Sequence, residues 1–312
     1  MNQEHVKAYL EFLERNRRLT KGALASHRRH LKRLGALLGK TPIEAISLQA
    51  IDRATRTLLK TLEPSTANHV LGHWRSFARW LRKRRYIAGV YIPLADGLET
   101  VPMKKKHREV MSMAGIVAAI RKIEKQAKHV SIVLWTQFIT GARPKALFDA
   151  KWKDVHLPKR GMPGMIILDP LKKGSSATTI IQPGSLLEKV LLEAKELYRQ
   201  FHRNDPNSRG RYPTKKTVVF PTVHGRSKIN PGGWTTESFG EAVRRLSSGK
   251  FNAYQIRHSV GTWLQLQGAN AHQIKSYMRH RNLRTQEAYA HDAGVEAVVA
   301  QNMIEQAIRD ES

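Results

Sequence analysis

The chain has 312 residues, 41% of them hydrophobic, and 54 Lys and Arg against 25 Asp and Glu give a formal charge of +29. That is enough apolar material for two cores, and the charge asks for a polyanionic partner, although by itself it fits a ribosomal-type or general RNA-binding protein as well as a DNA-binding one. With no cysteine there is no disulfide and no thiolate metal centre, which fits the cytosol; no 18-residue apolar run predicts a membrane span, and the absence of H-E-x-x-H and G-x-x-x-x-G-K-S/T speaks against a zinc site and a P-loop NTPase.

The N-terminal stretch lacks an apolar signal core and reads as an amphipathic helix over 4–16. Further helical patterns cover 21–38, 48–62 and 66–86, with Thr20, Ser47 and Ser65 as N-cap candidates whose hydroxyls can accept a free backbone N–H. The second helix places Leu24, His27, Leu31 and Leu34 on one stripe and Arg28, Arg29, Lys32 and Arg33 on its other faces. The fourth offers Trp74, Phe77, Trp80 and Leu81 to a core and Arg75, Arg79, Arg82 and Lys83 to solvent or to a phosphate backbone. Residues 1–100 therefore read as a four-helix domain, followed by a linker over 101–110 that carries Lys104, Lys105 and Lys106. Residues 1–110 hold 23 basic and 9 acidic side chains, and the remainder 31 and 16, so both halves can meet a polyanion.

Beyond the linker, 111–312 read as a mixed domain. Helices are predicted over 113–127 and 130–140 (the latter apolar and buried), then two short strands over 164–168 and 178–182 that flank Lys172 and Lys173. A helix over 186–202, a loop over 204–216, an extended segment at 218–221, and helices over 235–247, 256–267, 271–279 and 285–290 complete the pattern. A last apolar helix at 294–308 shows Val295, Val298, Val299, Met303, Ile304 and Ile308. The fold class is mainly α with a small β-sheet.

Four residues stand out: Arg143 in Thr140-Gly-Ala-Arg143, Arg257 in Tyr254-Gln-Ile-Arg257-His258, His280 in Tyr277-Met-Arg-His280, and Tyr289 nine positions later. Taken singly, they read as a surface charge, a satisfied histidine and a core tyrosine. As a set they suit attack by a phenol on a phosphodiester. Two planar guanidiniums can clamp the non-bridging oxygens on which charge grows. Tyr can conserve the bond energy as a protein–phosphate ester, which needs no ATP, no metal and no cofactor, and the departing alkoxide needs a proton from a His or Lys.

In order and spacing these boxes resemble the tyrosine recombinases of the phage integrase and Xer type, over roughly residues 3–305. Gly268 falls at the family's interhelical glycine, Leu147 in an apolar slot of the first box, and Leu171-Lys172-Lys173-Gly174 at the hairpin of the catalytic lysine. The resemblance implies an N-terminal four-helix, SAM-like core-binding domain that clamps DNA together with a catalytic domain. It implies catalytic roles for Arg143, Lys173 (with Lys172 competing), Tyr254, Arg257, His280 and Tyr289. DNA contacts are expected at Arg29, Lys32, Arg75, Arg79 and Lys104–Lys106. The implied partner is double-stranded DNA with specific core sites, bound by a monomer or dimer that becomes a tetramer on synapsed DNA, in the cytoplasm of a prokaryotic or phage-infected cell. The last helix is expected to dock on a neighbouring protomer. The short stretch ahead of the first domain suggests a simpler recombinase than one that needs arm sites.

Two positions depart from the family pattern. Tyr254 stands where the second box usually begins with His or Lys, and Ala146 where an acid usually follows the first Arg by three. A phenol is a poor base at neutral pH. A neutral Tyr254 needs no carboxylate partner, so the two positions are expected to have changed together. The other readings are a DNA-binding relative that lost activity, and a type IB topoisomerase or telomere resolvase.

Overall fold

The computed structural model describes residues 3–17, 19, 21–88, 91–103, 109–168, 177–203, 216–224, 228–230, 233–278 and 293–311. Two compact units divide the chain, Met1–Lys106 and His107–Ser312. Among the described residues, no helix is long and apolar enough to cross a membrane.

Unit 1 is built from α1 (Gln3–Arg17), α2 (Lys21–Leu38), α3 (Leu48–Leu59), α4 (Pro64–Lys83) and a single turn, α5 (Pro93–Asp96). Its core gathers the expected stripes: Leu31, Leu34, Trp74, Phe77 and Leu81 are all buried, together with Leu13, Ile51 and Val70. Ser47 caps α3 as expected, its hydroxyl accepting from Ala50 N at 3.2 Å. Ser65 does not cap α4. The helix opens two residues before the expected start, on Pro64, whose fixed φ and missing N–H suit the first helical position. The same helix stops at Lys83, short of the expected residue 86. Arg85 turns left-handed (φ 58°), and Tyr86 N bonds back to Leu81 O at 3.0 Å, closing a Schellman end without a glycine.

One stripe of α4 clasps the segment that leaves it. Asn68 donates to Val101 O (2.9 Å) and accepts from Val101 N (2.7 Å). Arg75 donates to Leu98 O, Arg79 to Ala95 O (3.1 Å), and Arg82 pairs with Asp96 (2.7 Å). Two arginines expected at the DNA backbone thus have intramolecular work.

Unit 2 runs α6 (Met113–Glu124), α7 (Lys128–Thr140), α8 (Pro144–Asp149), β1 (Val155–His156), β2 (Gly164–Leu168), β3 (Ala177–Ile181), α9 (Leu186–Arg203), β4 (Thr222–His224), β5 (Lys228–Asn230), α10 (Thr236–Leu246), α11 (Ala253–Leu266), α12 (Ala271–Met278) and α13 (Ala293–Asp310). An antiparallel meander β1-β2-β3 pairs Val155 with Ile166 and Met165 with Ile180; β4 and β5 form a separate hairpin. Strands β1, β4 and β5 are too short to carry an alternating pattern, and the sequence did not announce them. Helix α7 is the axis of the unit, buried from Val130 to Thr140, as its largely apolar run predicts.

Two boundaries matter for function. Helix α11 begins at Ala253, three residues before the expected start. The reciprocal capping box of Asn252 and Gln255 fixes that start, so Tyr254 lies in the first turn and Arg257 one turn on. Helix α13, expected on a neighbouring protomer, is seated on its own unit. Ala300, Ile304 and Ile308 join the main core, and the buried Glu305 accepts from Leu186 N at the start of α9 (3.3 Å). The described part of the apolar stripe, Met303, Ile304 and Ile308, packs within its own unit. The predicted 285–290 helix and most of the 204–216 loop lie outside the described residues.

Candidate active site

The first box begins where α7 ends. The last four carbonyls of a helix lack intrahelical partners. Here Gly141, left-handed at φ 61°, turns the chain and bonds its N–H to Gln137 O at 2.8 Å. The carbonyl of Phe138 accepts from the Tyr277 hydroxyl, and the carbonyl of Gly141 from the Arg257 guanidinium. Thr140 Oγ1 donates to Thr136 O (2.6 Å) and accepts from Ala142 N (3.3 Å), which shapes the turn from inside. Two residues past Gly141, the exposed Arg143 is the N-cap of α8, where Pro144 takes the first helical position.

The second box reaches the same turn from the other side. Arg257 is 6% exposed. One arm of its guanidinium donates to Gly141 O and the other to Met278 O, the last carbonyl of α12. Its charge therefore sits at the C-terminal, negative ends of two helices, which is how a buried cation can be accommodated by backbone dipoles. Gln137, fully buried, donates to Ala253 O at 2.8 Å and ties α7 to the start of α11. Ser259 Oγ accepts from Met111 N at 2.9 Å and brings the chain ahead of α6 onto the same helix.

Of the residues singled out in the sequence, Arg143, Arg257 and Tyr254 are gathered here. Tyr254 is 55% exposed, one turn before Arg257, and Ala146 is buried in α8. Lys172, Lys173, His280 and Tyr289 lie outside the described residues, as do Lys104, Lys105 and Lys106. Arg75 and Arg79 sit along the α4 clasp. Arg29 and Lys32 stand exposed on α2 beside Arg28 and Arg33, on one open face with Ala25 and Ala36. Positions 25, 29, 33 and 36 and positions 28, 32 and 36 form two adjoining ridges, so four cations share one helical face, away from the buried Leu31 and Leu34. No three His, Cys, Asp or Glu among the described residues are placed to hold a metal ion.

Sequence reasoning missed Tyr277 and Gln137 as parts of this site. Each sits at an apolar slot of its helix, and only a polar atom at a core position hinted that a carbonyl had to be met there.

Comparison with known proteins agrees with the boxes. The phage integrase family matches residues 107–295. The tyrosine recombinase XerD of Staphylococcus haemolyticus is 22% identical over 296 residues, covering 92% of this chain and 93% of that protein. The XerD of Staphylococcus epidermidis is 20% identical over 294 residues, with the same shares covered. Among solved structures, the Tn1549 transposon integrase in complex with transposon right end DNA superposes with a TM-score of 0.67 at 15% identity, covering 96% of this chain and 98% of that one. A lambda integrase tetramer bound to a Holliday junction gives 0.66 at 12% identity, covering 92% and 79%. The fold is theirs, and with more than half of its length matched, the chain belongs to the phage integrase family of tyrosine recombinases.

Proposed function

We propose that this recombinase cleaves and rejoins double-stranded DNA at specific core sites through a 3′-phosphotyrosyl intermediate. The Tyr289 phenolic oxygen attacks the scissile phosphorus and gives its proton to solvent. The Tyr–O–P bond forms as the P–O5′ bond breaks, and Lys173, or else Lys172, protonates the leaving 5′-oxygen. Arg143, Arg257 and His280 hold the non-bridging oxygens, where the charge develops. The ester energy is stored rather than spent, so the reaction needs neither ATP nor metal. The observation that carries this reading is the Arg257 grip. One guanidinium joins the turn that presents Arg143 to the end of the helix that leads into His280, so three of the proposed phosphate ligands depend on one buried hinge point.

Unit 1 is assigned the role of clamp, with the α2 cations and the 101–110 connection on the DNA backbone, and unit 2 the chemistry. The structural neighbours include integrase dimers and a tetramer on DNA, and synapsis as a tetramer is the corresponding expectation here. The test begins by recovering the bound site from a pool of random duplexes, then offers it with a nick beside the cleavage point. A covalent adduct that disappears in Tyr289→Phe is expected. Tight binding without adduct would instead favour a relative that keeps the fold without the chemistry, the reading that Tyr254 and Ala146 motivate.

A further inference from the structure

We infer that Tyr277 is a positioning residue for the proposed reaction, acting by locking the end of α12 to the turn that presents Arg143. The inference rests on the catalytic reading above but concerns a side chain to which that reading gives no role.

At the end of α7, Gln137 O is taken by Gly141 N, Gly141 O by Arg257, and Phe138 O by the Tyr277 hydroxyl. Tyr277 is 2% exposed, so loss of that bond would leave Phe138 O without its phenolic donor in an apolar surround. The ring has a second task. A Cβ built on Gly141 would stand 2.5 Å from Tyr277 Cε1 and 2.8 Å from Cδ1 and Cζ, so the ring face lies directly on the glycine. The next residue, Met278, supplies the other carbonyl gripped by Arg257. Its Cε lies 3.2 Å from a Cβ built on Gly261 of α11, which closes the packing from the far side. Hydroxyl, ring and neighbouring carbonyl thus fix the last turn of α12 to residues 138–141 at three points. Arg143 follows Gly141 by two residues and His280 follows Tyr277 by three, so a slack joint displaces both ends of the phosphate clamp. A plain apolar residue at 277 would fill the volume but leave the hydroxyl's bond unmade. Displacements near 1 Å at a reacting centre cost on the order of 100-fold in rate.

Tyr277→Phe keeps the ring and deletes the bond. Single-turnover cleavage of the selected, nicked duplex should slow at least about 10-fold, while affinity for the same duplex stays within about twofold and the melting temperature falls by only about 2–8 °C, leaving the protein folded at the assay temperature. A second readout needs no DNA: the Nε–H signal of Arg257 in the free protein (assigned by its loss in Arg257→Lys) should report faster guanidinium rotation in Tyr277→Phe. Gly141→Ala, which pushes the ring away, should reproduce the kinetic loss, and the double variant should lose no more than the worse single one. Cleavage by Tyr277→Phe at the wild-type rate overturns the inference, as does an unchanged Arg257 signal. If the wild-type chain forms no adduct, the catalytic reading has failed, and the Arg257 signal alone decides whether Tyr277 holds the clamp.

Discussion

Arg257 occupies a place where an isolated cation would be costly, and the partners it grips are carbonyls at two helix ends. Lysine cannot span both with its single ammonium. Arg257→Lys is therefore expected to lower stability by about 2–3 kcal/mol and cleavage by roughly 1000-fold, checked by thermal melting and single-turnover assays. At the two departures from the family pattern, Tyr254→His is expected to impair cleavage alone and to recover when Ala146→Glu is added. Independent effects in that double-mutant cycle would sink the coupling. The arginines were legible because guanidiniums in fixed order announce phosphate chemistry. Tyr277 was not, since a phenol among apolar helix positions reads as core until the carbonyl it meets is seen.

Helix starts and stops show the same division at the scale of the element. Ser47 could be read as a cap, but Arg85 could not be read as a stop, because a left-handed arginine leaves no compositional trace. The α2–α4 contact holds a further surprise. His27 stacks on His73 at 3.8 Å between centroids, and His30 Nδ1 lies 3.0 Å from His73 Nδ1. Burial, then His27, His30 and His69, push His73 down to about 4, and burial, then Arg29, lower His30. Unfolding raises these values toward 6.5, so the unfolded chain binds more protons in between. Stability is then complete above pH 6.5 and declines as pH falls from there toward 4. Melting at pH 5 is expected about 5 °C below melting at pH 7.5, roughly 1 kcal/mol for a unit of this size after allowing for partial exposure, and His73→Leu should flatten the difference. Along α4, Asn68→Ala is expected to expose 92–103 to limited proteolysis while sparing DNA affinity.

For the molecule as a whole, two cores and a basic connection were readable because composition, caps and apolar stripes agree about them. The seat of α13 was not, since one apolar stripe fits a partner or its own unit equally well on paper; in the single chain Ile304 and Glu305 are buried on its own unit. Truncation from residue 296 is accordingly expected to lower the melting temperature of the isolated chain as well as to weaken synapsis. Neutralising Arg28, Arg29, Lys32 and Arg33 to Gln should flatten the salt dependence of DNA affinity by a log–log slope of up to about 4, whereas an unchanged slope would move the α2 face off the DNA.

The grip on Arg257 also says something about heredity. Its acceptors are peptide oxygens, present whatever side chain the codon specifies, so drift at Met278 toward other apolar residues leaves the anchorage chemically intact. Gly141 has no such latitude, because its backbone is left-handed and an aromatic face fills the space where a methyl would go. In a saturation library selected for recombination, position 278 should therefore return a mixture and position 141 glycine alone.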